Sequence, residues 1–287
     1  MTVDLHQLML DLSEPDQGVM ETLARSEDDL MLLGAGGKIG HGLALMAKRA
    51  FDATRRSQRV LAVSQFSDEN VRNAMERDGI TTISCDLMDS AALAKLPDVG
   101  DLVYMAGQKF GTEGAASVTW MRNTVLPALV AQRWPNSRFV VYSSGNVYPF
   151  TTPRSDGPAE DHALGPIGEY AQSVLGRERV FEFFSRTNGT KIVTLRLNYA
   201  VEPRYGVLVD LGTKILAGEP IDLTTGHVNI VWQGDANRVT LRSLDLASSP
   251  PTILNLAGPR HLGVRDLACQ LGRALKKEPV FTGTEAA

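Results

Sequence analysis

The stretch "LMLLGAGGKIGHGLALMA", residues 30–47, constrains the fold of this chain more than any other. Four apolar residues run into Gly34, glycines recur at Gly37 and Gly40, and apolar residues then return at helical spacing. Glycine permits a tight turn and lets backbone N–H groups come close to a ligand, while the following helix points its positive end at the same place. The pattern around this loop repeats. "RVLAVS", "ITTIS", "DLVYMA", "RFVVYSS" and "KIVTLRLN" read as short apolar strands. Between them lie helical patterns over residues 39–54, 69–77 and 118–133, and a further helix headed by Tyr170. Apolar strands alternating with helices predict a parallel sheet covered on both faces. Right-handed crossovers then make it doubly wound.

The predicted architecture is therefore α/β: a Rossmann-type doubly wound parallel sheet with a smaller C-terminal α/β substrate lobe. Residues 1–28 carry Leu5, Leu8, Met9, Leu12, Val19, Met20 and Leu23 at helical spacing and predict an N-terminal helical extension packed outside the main fold. Residues 29–198 form the dinucleotide-binding domain, and residues 199–287 are mainly the substrate lobe, with an abrupt end, "EPVFTGTEAA", that reads as a truncated boundary. Apolar residues make up 43% of the 287, enough for a full core. Basic residues are dispersed and the net charge is -4, which argues against a nucleic-acid partner. Cys85 and Cys269 lack metal-ligand spacing and read as reduced thiols, so no metal site is expected. No run reaches the ~20 apolar residues of a membrane span, and no secretory leader is visible, so a soluble cytoplasmic chain is expected.

The glycine loop predicts a bound dinucleotide, NAD(P), with Gly34, Gly37, Lys38, Ile39 and Gly40 around its pyrophosphate. No Gly-Lys-Ser/Thr follows, which excludes a P-loop. The second strand ends in Ser64 and Gln65 without a carboxylate for the ribose hydroxyls, and Lys38 adds positive charge. Together these lean slightly to NADP. Asp68 reads as a helix cap. Asp86 and Leu87 follow the third strand, Ala106 and Gly107 the fourth, and Asn198 the sixth; all are candidate cofactor contacts. Asp86 fits a helix cap equally well, and Arg196 and Asn198 fit strand-end hydrogen bonding.

"FVVYSSGNVYP" places Ser143 and Ser144 at the carboxyl end of the fifth strand, where ligands bind in such sheets. A strand-end serine and a tyrosine on the next helix, Tyr170, can converge on one substrate oxygen, the serine binding it and the tyrosine exchanging its proton.

These residues resemble the extended short-chain dehydrogenase/reductase family, also called NAD-dependent epimerase/dehydratases. The matching pieces are "GAGGKIG", "CDLMD", "LVYMAG", "RNTVLPAL", "VVYSSGNVYP", "GPIGEYAQSVLGRE", "TLRLNYA" and "NLAGPRHLGVRDLA", in the family's order. The resemblance implies a nicotinamide cofactor and a sugar, sugar-acid or related hydroxy/keto substrate. It also implies a catalytic Ser144 and Tyr170, an Asn123 supporting a proton relay, and a homodimer built on the helices around 118–133 and 170–186. The departure is Val174, where the family has a lysine that binds the nicotinamide ribose and lowers the tyrosine pKa. Lys109, in the loop after the fourth strand, is the candidate replacement, with a solvated loop lysine as the plain alternative. Two functions follow: an NAD(P)-dependent oxidoreductase or epimerase, or a catalytically weakened dinucleotide-binding sensor or scaffold.

Overall fold

The computed structural model describes residues 4–109, 114–152 and 155–285. Helices α1 (Leu5–Leu12) and α2 (Gln17–Ala24) open the chain. The alternating region then gives β1 (Leu30–Leu33), α3 (Gly40–Ala53), β2 (Val60–Ser64), α4 (Glu69–Arg77), β3 (Thr81–Ser84), α5 (Ser90–Ala94) and β4 (Asp101–Tyr104). Next come α6 (Ala116–Trp120), a π-helical turn (Met121–Val125) and α7 (Leu126–Arg133). They lead to β5 (Arg138–Ser144), α8 (Gly168–Asn188) and β6 (Lys191–Leu197).

The remainder is β7 (Tyr199–Val201), α9 (Val207–Ala217), β8 (Pro220–Asp222), β9 (His227–Trp232), α10 (Gln233–Arg242), β10 (Thr252–Leu256), β11 (His261–Gly263), α11 (Val264–Leu275) and β12 (Val280–Thr282).

Seven strands form one parallel sheet in the order β3-β2-β1-β4-β5-β6-β10. The chain reverses its direction of travel between β1 and β4, which makes the gap above their carboxyl ends the natural ligand crevice. The strands β1 and β4 are buried along their whole length, which is why their sequences read as apolar runs. Two layers of apolar side chains, one on each face, make the core.

The alternation continues past residue 198: β10 joins the sheet beside β6, and α10 packs against α2 and α3. The C-terminal lobe proper is therefore made of β7, β9 and β11, the β8–β12 pair, and the α9–α11 layer around Leu211, Ile215, Ile221 and Leu223. The N-terminal helices are also more deeply engaged than an outside extension. Val19 and Leu23 are fully buried in the core cluster that contains Leu43 and Phe51. Asn237 donates to the carbonyl of Leu12 at 3.0 Å, and Arg49 to that of Leu10 at 2.8 Å.

Helix α8 carries the tyrosine, and its seat on the sheet is aromatic. Phe181 is fully buried, 5.2 Å from the Tyr104 ring and 5.6 Å from Phe139. Such pairs add about 0.5–1.5 kcal/mol each beyond area burial. Gly189 ends the helix at φ 76°, with its N–H on the carbonyl of Ser185. With this end fixed, Tyr170 is held at the opposite end, over the carboxyl edge of β5.

Candidate active site

The glycine loop turns tightly between β1 and α3. A Cβ on Gly34 would lie 2.6 Å from the backbone nitrogen of Ala106, and its φ of 91° disfavours any other residue. A Cβ on Gly40 would lie 1.9 Å from the carbonyl oxygen of Ala35. At Gly37 a Cβ would meet only one backbone oxygen, at 3.7 Å, so this side of the loop opens outward. It opens into a cleft of about 340 Å³ lined by Gly34, Gly37, Ser64, Gln65, Ala106 and Gly107. Asp86 and Leu87 also line it, with Asp68, Cys85 and Arg122. This cradle fits a dinucleotide: two glycines are forced by the backbone, and the third leaves N–H groups accessible at the start of α3.

Three candidate cofactor residues are placed otherwise. The Lys38 ammonium lies 5.4 Å from the centre of the Tyr205 ring and is not among the residues lining the cleft. Ile39 packs against the core and precedes α3. Asn198 donates to Asn229 at 3.2 Å, and its Oδ1 lies against Gly145, where a Cβ would come within 2.0 Å. Asp68 caps α4 through the N–H of Asn70, and Asp86 accepts from the N–H of Met88, yet both also face the cleft. Asp68 after β2 and Asp86 after β3 thus bring two carboxylates to the cleft, which Arg122 also lines.

At the end of β5, Ser144 and Tyr170 come together: the serine hydroxyl lies close enough to the phenol to favour its ionised form. Burial pushes the Tyr170 pKa above its ordinary value, while the charge of Arg177 and the Ser144 hydroxyl partly offset that rise. Val174 is buried with Val147 and Tyr148, and the Tyr170 ring packs on the same cluster. Position 174 thus faces apolar neighbours.

Asn123 is fully buried on the π-helical turn, a kind of distortion that recurs at functional sites. The helical pattern over 118–133 is interrupted there. Asn123 Nδ2 donates to Ser173 Oγ at 2.9 Å and to the carbonyl of Gln108 at 3.1 Å. Its Oδ1 accepts from the Gln108 N–H at 2.9 Å and from Arg177 at 2.7 Å. Ser173 Oγ in turn donates to the Tyr170 carbonyl at 2.8 Å. The asparagine therefore ties the β4 loop to the first turn of α8.

Lys109 lies over the Tyr199 ring at 5.3 Å, and burial lowers its pKa. The cation whose charge bears on Tyr170 is Arg177, which the sequence reading did not single out. Its signal was available: a spacing of seven puts it on the tyrosine's helix face, two turns on.

Beside this group lies a second buried one. Arg196 donates to both oxygens of Glu178, at 3.0 and 2.9 Å, and to the Tyr148 hydroxyl at 2.7 Å. Ser143 donates to Glu178 at 2.5 Å. Arg196 therefore faces a carboxylate and a phenol inside the protein.

Among the described residues there is no cluster that could hold a metal ion, and no helix is long and apolar enough to cross a membrane.

Comparison with known proteins follows the same lines. The UDP-glucose 4-epimerase of Thermotoga maritima, solved with UDP-glucose, superposes with a TM-score of 0.75 at 18% identity, over 90% of this chain and 87% of that one. The dTDP-glucose 4,6-dehydratase DesIV of Streptomyces venezuelae, solved with NAD, gives 0.78 at 19% identity, over 90% and 85%. The UDP-glucuronic acid 4-epimerase of Bacillus cereus, also with NAD, gives 0.73 at 16% identity, over 90% and 87%. No match was found among curated protein sequences. At these identities the structures attest the fold. The sequence itself matches the description "NAD dependent epimerase/dehydratase family" over residues 30–254, and the chain belongs to that family.

Proposed function

We propose that this protein is an NAD-dependent epimerase or dehydratase acting on a sugar nucleotide. The observation that carries the reading is the nearness of the Ser144 hydroxyl to the Tyr170 phenol, where the end of β5 meets the start of α8. Gly34 and Gly37 would hold the pyrophosphate at the start of α3, and Ser64, Gln65, Asp86 and Leu87 the adenosine end. Acidic Asp68 and Asp86, with Lys38 turned to Tyr205, favour NAD over its 2′-phosphorylated form. Bound NAD supplies the hydride acceptor and donor. The chain's own part is to orient and to move a proton: Ser144 donates a hydrogen bond to the substrate oxygen, and Tyr170 exchanges that oxygen's proton. The solved relatives were crystallised with UDP-glucose or NAD, which supports both the substrate class and the cofactor.

The competing reading, a dinucleotide-binding sensor, is favoured by one observation: an apolar, buried residue at 174. Incubation with NAD and UDP-glucose or dTDP-glucose, with products resolved by chromatography, separates the two. Turnover that falls ~10²–10⁴-fold in Tyr170→Phe, with NAD affinity kept, supports the enzyme. Tight NAD binding without turnover supports the sensor, and turnover unchanged in Tyr170→Phe removes the proposed chemistry. A dimer through α6–α7 and α8 is supported by exposed Val118, Met121, Val125 and Phe183. A monomeric mass in sedimentation at micromolar concentration would count against it.

A further inference from the structure

The Arg177 guanidinium is buried without a carboxylate. Nη1 donates to the carbonyl of Tyr142 at 2.8 Å and Nη2 to Asn123 Oδ1 at 2.7 Å. The group lies 5.6 Å from the centre of the Tyr104 ring, and a Cβ on Gly107 would come within 2.1 Å of Nη2. Its Nε is buried with no hydrogen-bond partner among the described residues. None of the ion pairs among those residues includes Arg177. The adjacent acid, Glu178, is engaged by Arg196, and successive residues point about 100° apart around a helix. Tyr104 cannot serve as a counter-charge either, because burial pushes its pKa far up.

Burying an uncompensated cation is costly, so its location is informative. Arg177 follows Tyr170 by seven residues, about 10.5 Å along the helix. Long helical side chains lean towards the N-terminus, which brings the guanidinium back towards the tyrosine. A bonded path joins them as well: Arg177 to Asn123, Asn123 to Ser173, and Ser173 to the Tyr170 carbonyl.

We propose that Arg177 is the positioning cation of this site, stabilising the phenolate form of Tyr170 that takes up the substrate's proton. The proposal rests on Tyr170 acting as acid and base. It assigns to a residue two turns along α8 the electrostatic task that Val174, one turn along, cannot perform. The ribose-binding task of a lysine is not part of this assignment, in which Nη1 and Nη2 each hold a protein oxygen. A charge placed in advance beside a developing anion, in a site closed to water, acts with little reorganisation.

Three further groups must be followed in the same titration. Ser144 of β5 faces Tyr170, Tyr199 of β7 opposes its ionisation, and Lys109 lies over Tyr199. The test reads Tyr170 directly, on the full chain without ligand, so it does not depend on turnover or on the identity of the substrate. The Tyr170 Cζ resonance is assigned by its loss in Tyr170→Phe and followed through the alkaline range. Arg177→Gln is expected to reduce the acid dissociation constant of Tyr170 by ~10-fold or more, and Arg177→Lys to restore most of it. A folded Arg177→Gln chain in which Tyr170 titrates as in the wild type overturns the proposal.

If Arg177→Gln does not fold, the wild-type chain gives the reciprocal reading. The Arg177 Nε–H resonance should move with the Tyr170 titration and stop moving in Tyr170→Phe. A resonance that stays fixed through that titration overturns the proposal equally. If Tyr170 and Arg177 prove coupled but no sugar nucleotide turns over, the fault lies with the proposed function and not with this assignment.

Discussion

Two buried arginines flank the end of β5, and the fold treats them differently. Arg196 is saturated: Nε and Nη2 on the Glu178 carboxylate, Nη1 on the Tyr148 hydroxyl and the Glu160 carbonyl. Arg177 has two neutral acceptors and an unpartnered Nε. Both stack over a tyrosine ring, at 4.9 Å for Arg196 and 5.6 Å for Arg177. The difference is the counter-charge. A compensated pair fixes geometry but projects little field, since its two charges cancel at a distance. An uncompensated cation projects its field onto whatever neighbour can become negative, and here that neighbour is Tyr170. Consecutive residues of α8 thus serve opposite ends: Glu178 neutralises one arginine, and Arg177 is left charged.

The largest expected effect tests the compensated side. Glu178→Gln leaves Arg196 buried with its charge unmatched, and breaking such a pair costs about 3–5 kcal/mol. Urea unfolding should show that loss, or the variant should fail to fold. Arg177→Gln is the matched measurement and should cost less, about 1–3 kcal/mol. It orphans only neutral acceptors, and one of them, Asn123 Oδ1, still accepts from the Gln108 N–H. Equal losses in the two variants would mean that Arg177 has a counter-charge after all, and the contrast would fail.

The glycine half of the site was legible in the sequence because its demands are local. Gly34 and Gly40 are dictated by backbone atoms of Ala106 and Ala35, and a spacing of three reports them. The sheet was legible for a similar reason, since buried parallel strands read as apolar runs. Ser144 and Tyr170 were legible as strand-end and helix-head residues, and they do meet. What was illegible depends on where long side chains turn. Lys38 and Lys109 were placed by position in the chain, but each extends over a tyrosine, Tyr205 and Tyr199. Arg177 carries no mark of burial in "LGRER", and only the close approach of β4, the π-helical turn and α8 buries it. The return of β10 to the sheet was hidden too, because one strand among lobe elements carries no mark of the partner it will join.

The smallest expected effect comes from a charge pair at the surface, the opposite limit from Glu178–Arg196. Asp245 accepts from the Thr22 hydroxyl at 2.7 Å and pairs with Arg25, joining α2 to the segment after α10. Burial raises the Asp245 pKa, but the Thr22 hydroxyl and the Arg25 charge outweigh it, so the net shift is downward. The folded state therefore binds this proton more weakly than the unfolded chain does. The sign follows: the contribution is complete above the unfolded carboxylate pKa, near ~3.9, and is lost as pH falls through the lower folded value. The pair is partly exposed, 58% at Arg25 and 31% at Asp245, so its worth is about 0–1 kcal/mol. Asp245→Asn should then differ from the wild type by no more than that in urea unfolding at pH 7. The gap should be the same at pH 6, and it should close only in the acid range below pH ~4. A loss as large as that of Glu178→Gln would show that burial is not what separates strong from weak pairs here. It would place the N-terminal helices, with Val19 and Leu23 in the core, among the elements whose docking depends on a single carboxylate.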